Sequence, residues 1–128
     1  MKTEQQLQLV SYQQAKRLKT LGFDWEYDMC YNTSGLEKEI GKLQHSEFYG
    51  YQNYNALSTK ISAPTVALAL KWARDVKGIH FDIKRKWSKI HDNYVFVIIK
   101  EMYDHVSDTY EQAESALLDE ILNLLANG

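Results

Sequence analysis

Residues 62–87 read SAPTVALALKWARDVKGIHFDIKRKW, and this stretch decides the fold because an apolar helix runs directly into a strand. Pro64 stands near the first helical position, where its missing N–H costs least. Gly78 follows the last apolar row and can end the helix in the left-handed conformation. The pattern therefore predicts a helix over 64–77 followed by a strand over 79–87.

The strand over 79–87 is followed by a more apolar one. Ile79, Phe81 and Ile83 alternate with polar residues, which is typical of a half-buried strand. The sequence SKIHDN then turns the chain, and YVFVIIKEM at 94–102 is apolar at nearly every position. We expect an antiparallel hairpin in which 94–102 is the central strand, because both of its faces are apolar.

The N-terminal part predicts a capped helix and then an aromatic strand. Ser11 with Gln14 three residues later has the capping-box pattern, and Gly22 stands where a helix over 12–21 would end. FDWEYDMCY at 23–31 alternates bulky residues with acidic ones and the cysteine, which predicts a strand with an aromatic inner face and an acidic outer face. The earlier LQLV is either an edge strand or a loose tail.

The last helix is predicted over 109–126, with Asp108 and Glu111 at capping-box spacing. Its apolar residues at helical spacing are Tyr110, Ala113, Leu117, Leu118, Ile121, Leu122, Leu124 and Leu125. This stripe is broad enough to cover a sheet, and apolar surface that the sheet leaves exposed could be buried against a second copy of the chain. A homodimer is therefore one interpretation.

These segments fit one α+β domain covering residues 1–128. Residues 32–61 combine a turn (NTSG), a short helix weakened by Gly41 (LEKEIGKL) and a tyrosine-rich loop or irregular strand (EFYGYQNYNAL). A connection of that length is expected to hold hidden structure or a functional site. We expect a small antiparallel sheet with helices packed on one face, the strands lying near 23–31, 79–87 and 94–102 and the helices at 12–21, 64–77 and 109–126.

Composition is that of a folded protein, with 45% hydrophobic and 25% charged residues. Cys30 is the single cysteine, which excludes an intramolecular disulfide and suits a reducing compartment. The N-terminal residues lack the apolar core of a signal peptide, and the longest apolar run, 94–99, is too short for a membrane span. We therefore expect a cytoplasmic protein that does not insert into membranes.

Three stretches carry a resemblance to known proteins. They are SYxxAKxLKxLGF at 11–23, SAPTxxLAxKWxR at 62–74 and DxYExAExAL at 108–117. Together they resemble a group of small uncharacterised proteins of gut Bacteroidales, their phages and their integrated mobile elements. The resemblance implies the setting of a phage or mobile-element accessory protein, and it implies no activity, cofactor or site residue.

Charge is unevenly distributed, although the formal net charge is only −2. Residues 71–91 hold seven Lys or Arg against two Asp, whereas residues 101–128 hold seven acidic residues and no Lys or Arg. The residues suited to following a nucleic-acid backbone are Lys84, Arg85, Lys86, Trp87 and Lys89. A solvated sheet face explains the same residues, and the acidic balance of the chain favours it. Nucleic-acid binding is therefore the alternative function.

The residues that could ligate a metal or attack a substrate do not form a known motif. The candidates are His45, His80, His91, His105 and Cys30. Their spacing does not place metal ligands on one element. Cys30 shares the predicted acidic face with Asp24 and Asp28, where carboxylates disfavour a thiolate. We expect no metal, no cofactor and no catalytic residue, and hence a protein that is not an enzyme.

The tyrosine-rich segment is the strongest candidate for a function. Tyrosine offers wide contact area at a small cost in side-chain entropy, so an exposed cluster suits protein recognition. The alternative is that these residues pack as an extra strand against Trp25 and Tyr27. We expect contact with a host or phage protein through Tyr49, Tyr51 and Tyr54.

Overall fold

The computed structural model describes residues 8–45, 50–87, 92–98, 103–107 and 109–127, with backbone alone at 45, 84–87, 92–98 and 103–107. In chain order, the described elements are α1 (Tyr12–Thr20), β1 (Met29–Asn32), β2 (Leu43–His45), β3 (Lys60–Ser62), α2 (Val66–Lys77), β4 (Phe81–Trp87), β5 (Asp92–Ile98), β6 (Tyr103–Ser107) and α3 (Tyr110–Asn127). Two short 3₁₀ helices, Glu37–Glu39 and Tyr54–Ala56, lie in the connections. Helices combined with antiparallel strands make this an α+β protein, as the sequence predicts.

The chain divides into two compact units, Met1–Ala69 and Leu70–Gly128, and the division falls within α2. The first unit contains α1 and the strands β1 to β3, and the second contains the strands β4 to β6 and α3. A single domain over residues 1–128 stays a prediction.

Helix α1 is bounded by the two caps that its sequence predicts. At its start, the Ser11 hydroxyl accepts the Gln14 amide at 3.1 Å, and the Gln14 side chain accepts the Ser11 amide at 2.9 Å. At its end, Gly22 adopts φ +94°, and the Phe23 amide donates to the Leu18 carbonyl at 3.0 Å. This is the Schellman arrangement, which satisfies carbonyls of the last helical turn. The predicted helix is confirmed.

The residues just before α1 pair with the segment that leads into α2. The Val10 amide donates to the Pro64 carbonyl at 2.9 Å, and the Val66 amide donates to the Gln8 carbonyl at 2.8 Å. The bridge centred on Leu9 is isolated and does not extend into a strand. The N-terminal LQLV is thus neither the edge strand nor the loose tail that we considered, at least for its described residues.

Helix α2 begins two residues later than predicted. The Thr65 hydroxyl accepts the Leu68 amide at 3.0 Å, so Thr65 is the N-cap and Val66 is the first helical residue. Pro64 therefore precedes the helix instead of lying in its first turn. Gly78 has φ +72° and ends the helix, as predicted.

The first sheet has the strand order β2-β1-β3, and both pairings are antiparallel. In the central strand, Cys30 lies opposite Gln44 on one side and Ser62 on the other. Lys60 Nζ donates to Asn32 Oδ1 at 3.0 Å and to Gln44 Oε1 at 2.9 Å. One ammonium group therefore links side chains from all three strands.

The predicted strand over 23–31 is shorter than expected, and the expectation that it joins the sheet of the hairpin is wrong. The strand is Met29–Asn32, and it pairs with β2 and β3. The amide of Phe23 is already used by the end of α1, and the chain bends at Asp28. Beyond this bend Cys30 is buried, and so it does not lie on an acidic outer face. Alternation reports which side chains are buried, but it does not identify the partner of a strand.

The core of the first unit gathers apolar residues from α1, the strands and the start of α2. Its buried members include Val10, Ala15, Leu18, Phe23, Cys30, Tyr54, Ile61, Ala63, Val66 and Ala69. Tyr31 joins β1 to this core, because its hydroxyl donates to the Val10 carbonyl at 2.7 Å. Its ring also meets the Tyr12 ring edge-on, with centroids 5.5 Å apart.

The second sheet has the strand order β4-β5-β6, again antiparallel throughout. The predicted hairpin is confirmed, and β5 is the central strand as its apolar sequence indicates. Where side chains are described, Phe81 and Ile83 are half-buried while His80 and Asp82 are exposed, which confirms the predicted alternation. The third strand is β6, which the sequence did not predict.

Helix α3 lies against all three strands of the second sheet. Its N-cap is Thr109, whose hydroxyl accepts the Gln112 amide at 3.1 Å, and the predicted cap Asp108 lies outside the described residues. The fully buried residues are Ala113, Leu117, Leu118, Ile121 and Leu122. These five residues are covered within the chain, whereas Leu124 and Leu125 are half-buried and Tyr110 is exposed. A homodimer stays a prediction. Packing of all three helices on one face stays a prediction.

Candidate contact surface

The three tyrosines expected to form a contact surface have different environments. Tyr51 keeps 65% of its surface exposed, whereas Tyr54 is fully buried. The Tyr54 hydroxyl donates to the Gly50 carbonyl at 2.7 Å, which satisfies its polar atom inside the core. Tyr54 is therefore a core residue, and the surface does not include it. Tyr49 lies outside the described residues.

Tyr51 is held in place by its neighbour in the chain and by an aromatic contact. Gln52 and Tyr27 exchange two backbone hydrogen bonds, at 3.1 and 3.2 Å, in an isolated bridge. The rings of Tyr27 and Tyr51 meet edge-on, with centroids 6.0 Å apart and an angle of 86°. In residues 50–56, which the structure describes, the expected packing against Tyr27 is thus present as an isolated bridge and not as an extra strand.

Asn55 fixes the loop that follows Tyr51, and the sequence analysis did not identify this residue. Its side-chain amide donates to the Phe23 carbonyl at 2.8 Å, and its side-chain oxygen accepts the Ser62 amide at 2.9 Å. Asn53 accepts the Asn55 amide at 3.1 Å and caps the short 3₁₀ helix. The asparagines in QNYN are the signal that could have indicated such a turn.

Three acidic residues lie close to Tyr27 along the chain. Asp24 and Glu26 are exposed, and Asp28 is half-buried next to Tyr27. Burial raises the pKa of the Tyr27 hydroxyl, and the negative charge of Asp28 raises it further. Asp28 is thus close enough to the Tyr27 hydroxyl to affect its ionisation.

Two lysines of the first unit donate hydrogen bonds to neutral oxygens. Lys19 Nζ donates to the Leu57 carbonyl at 2.9 Å and to the Lys60 carbonyl at 3.2 Å. Lys60 is held by amide oxygens of Asn32 and Gln44. These contacts hold two ammonium groups of the first unit in fixed positions.

For the alternative nucleic-acid site, the structure describes only the backbone. Lys84, Arg85, Lys86 and Trp87 lie in β4, and their side chains, like the whole of Lys89, are outside the described residues. Part of the preceding basic stretch is already paired on α2. Asp75 accepts hydrogen bonds from Lys71 at 2.6 Å and from Arg74 at 3.2 Å, which lowers the pKa of its carboxyl.

The described residues contain no group of three His, Cys, Asp or Glu side chains that could hold a metal ion. Among the candidates, His80 is exposed, His45 and His105 are described by backbone only, and His91 lies outside. Burial raises the pKa of the Cys30 thiol, and the charge of Lys60 opposes this effect. The thiolate is thus disfavoured as expected, but burial is the reason, and the acidic neighbours that we invoked are not.

No family model, curated protein or solved structure gave a significant match to this chain. No helix in the described part of the chain has both the length and the apolar character needed to cross a bilayer.

Proposed function

We propose that this chain is a non-enzymatic accessory protein of a phage or mobile element that acts by contact with a host or phage protein. The observation that carries the proposal is the exposure of Tyr51 on a supported loop. An aromatic ring that is fixed before binding loses little conformational entropy when a partner covers it. The genomic setting comes from the sequence resemblance.

The support beneath Tyr51 distinguishes it from a ring at the end of a loose loop. The Tyr27–Gln52 bridge fixes the backbone next to it, and Asn55 ties the following turn to Phe23 and Ser62. Tyrosine is one of the residue types that commonly contribute most of the binding energy of an interface, and a ring held on a fixed backbone loses little entropy when it is covered.

Affinity capture from a gut Bacteroidales lysate, with and without phage infection, tests this proposal. The parent chain, the Tyr51→Ala variant and the Tyr110→Ala variant are compared by quantitative mass spectrometry. Tyr110 is the matched control, because it is a tyrosine with 44% of its surface exposed on α3, in the second unit.

We expect Tyr51→Ala to lose a partner that Tyr110→Ala retains, with a drop in affinity of about 30-fold for a central aromatic contact. Equal capture by all three chains contradicts the proposed surface. If the partner is lost only after nuclease treatment of the lysate, the alternative nucleic-acid function is favoured instead.

A further inference from the structure

The hydrogen bonds of the first sheet determine which backbone groups point out of it. The Ala63 amide donates to the Met29 carbonyl at 2.9 Å, and hydrogen-bonded pairs alternate with non-hydrogen-bonded pairs along antiparallel strands. Tyr31, two residues after Met29, therefore directs its N–H and C=O toward β3. Its partner on the other side is Leu43 of β2, so Leu43 turns the same groups away from the sheet.

The outer edge of β3 is closed by side chains. By the same alternation, Lys60 and Ser62 direct their backbone groups outward. The Lys60 carbonyl accepts a hydrogen bond from Lys19 Nζ at 3.2 Å, and the Ser62 amide donates to the Asn55 side-chain oxygen at 2.9 Å. These bonds occupy backbone groups that a further strand would need for pairing.

The outer edge of β2 is open at Leu43. In the part of the chain that the structure describes, no side chain caps the Leu43 backbone, and its side chain keeps 43% of its surface exposed. The half-buried Tyr31 lies beside it in register, and the Tyr31 ring meets the Tyr12 ring edge-on. This edge therefore offers outward backbone groups together with apolar surface.

The other face of the same edge carries a positive charge. Gln44 follows Leu43 in the strand, so its side chain points to the opposite face. Its side-chain oxygen accepts a hydrogen bond from Lys60 Nζ at 2.9 Å, and the same ammonium group donates to Asn32 Oδ1 at 3.0 Å. Both acceptors are neutral, and Lys60 has no carboxylate partner among the described residues. Its charge is thus available to a ligand at this edge.

This charge favours an acidic partner strand over a second copy of the chain. Two copies of β2 pairing antiparallel about Gln44 would place their Gln44 residues opposite each other. Each Gln44 holds one Lys60, so two ammonium groups would meet on one face, and like charges on facing strands destabilise a sheet. A carboxylate at that position would instead pair with the ammonium group.

We infer that the open edge of β2 binds an extended segment of a partner protein, which adds a fourth strand to the first sheet. Its apolar residues face Leu43 and Tyr31, and they alternate with acidic residues that face Lys60. Main-chain hydrogen bonds supply affinity in this mode of binding, and the alternate side chains supply specificity. The inference rests on the proposed contact function and adds a second surface and a partner chemistry to it.

The test uses capped seven-residue peptides that alternate valine with glutamate, in two N-methylated forms. A residue directly opposite Leu43 exchanges both hydrogen bonds with it, and valine is the residue expected there. N-methylation of the valines therefore blocks the hydrogen bonds to β2. N-methylation of the glutamates leaves these bonds intact and blocks only the far edge of the peptide. Each peptide is titrated into isotopically labelled full-length protein and followed by NMR.

We expect the peptide methylated on glutamate to shift the backbone signals of residues 42–44. It is also expected to slow hydrogen exchange of the Leu43 amide, because that amide becomes hydrogen-bonded. The peptide methylated on valine should do neither. A peptide with lysine in place of glutamate, methylated at the same positions, is expected to bind about fivefold more weakly because it loses the ion pair with Lys60.

Variants of β2 locate the contact. Leu43→Pro removes an N–H that the sheet does not use and is expected to abolish binding. Leu43→Lys replaces the apolar side chain and is expected to weaken binding about tenfold. Its control is Leu57→Lys, which changes another exposed leucine of the first unit and should bind like the parent. Circular dichroism establishes that each variant is folded, and the two lysine variants decide the matter if Leu43→Pro is not.

Equal binding of the two N-methylated peptides, or equal affinity of Leu43→Lys and Leu57→Lys, would overturn the inference. Signals of residues 42–44 that shift with protein concentration alone would also reject it, in favour of a second copy. A partner captured through Tyr51, together with no peptide binding at β2, leaves the proposed function standing and rejects this inference. Peptide binding that requires Leu43, together with equal capture by the parent and Tyr51→Ala, supports the inference and rejects Tyr51 as the contact.

Discussion

The amide of Phe23 donates to the carbonyl of Leu18 across Gly22, at 3.0 Å, and both side chains are fully buried. This bond ends α1 and directs the chain toward Tyr27. The arrangement depends on the positive φ of Gly22, which side chains with a Cβ rarely adopt.

Gly22→Ala is therefore expected to destabilise the protein by about 1 to 3 kcal/mol, because alanine is strained in the left-handed conformation. No heavy atom lies within 4 Å of a Cβ added there, so the effect is conformational and not steric. Urea unfolding followed by circular dichroism measures the difference. Gln13→Ala, at an exposed position of α1, is the control and is expected to change stability by less than about 0.5 kcal/mol. Equal stability of the two variants contradicts the conformational argument.

Tyr54 is expected to behave as a core residue in mutagenesis. Tyr54→Ala removes a fully buried ring and is expected to cost about 3 to 5 kcal/mol. Tyr54→Phe removes only the hydrogen bond to the Gly50 carbonyl and is expected to cost about 1 kcal/mol. The same urea series with Tyr51→Ala gives the comparison, since that exposed residue should leave stability nearly unchanged. A small effect of Tyr54→Ala would return Tyr54 to the contact surface.

Cys30 is expected to react slowly with thiol reagents in the folded protein. Its side chain is buried and burial raises its pKa, so both access and thiolate formation are limited. Labelling in native buffer should be more than about 100-fold slower than in urea, because it requires opening of the first unit. Ser58→Cys supplies an exposed thiol in the same protein as an internal reference. Two equally fast thiols in that variant would show that β1 is accessible.

The ionised carboxylate of Glu114 is expected to lower the free energy of unfolding as the pH rises. Burial, followed by the charge of Glu111, raises the pKa of its carboxyl. The folded state thus holds the proton more tightly than the unfolded chain does. Protonation of Glu114 therefore stabilises the folded state at pH values below the pKa that the carboxyl has in the unfolded chain. This stabilisation is lost as the pH rises through the pKa that the carboxyl has in the folded protein.

Glu114→Gln is accordingly expected to raise the melting temperature near neutral pH and to change it little at about pH 3, where the carboxyl is protonated in both states. The gain should be smaller in a Glu111→Gln background, which removes one cause of the raised pKa. Thermal unfolding of the four proteins at both pH values measures this. A gain of equal size at the two pH values would show that charge is not its origin.

The sequence predicted best those elements that are stabilised by residues close to one another in the chain. The caps of α1 depend on Ser11, Gln14 and Gly22, which are close in sequence, and they were recognisable without a structure. The central position of β5 followed from its apolar sequence alone. The sheet that contains Met29–Asn32 could not be predicted in the same way, because alternation does not identify a partner strand.

The environments of the candidate contact residues were predicted only in part. Tyr51 and Tyr54 look alike in the sequence, and one 3₁₀ turn after Asn53 buries the second while the first stays exposed. Asn55 fixes that turn by hydrogen bonds to Phe23 and Ser62. Phe23 lies 32 residues before Asn55 in the chain, and Ser62 lies seven residues after it. Hydrogen bonds over such separations leave no periodic pattern in the sequence.

The bonds that join Val10 to Pro64 and Val66 to Gln8 have a consequence for synthesis on the ribosome. During translation, α1 leaves the exit tunnel well before β3, which it contacts, and before Pro64 has been added to the nascent chain. Closing the loop between residues 10 and 64 costs conformational entropy. The contacts that offset this cost form only when both ends of the loop have been synthesised. The first unit can therefore complete its fold only after Val66 has been synthesised and has left the ribosome.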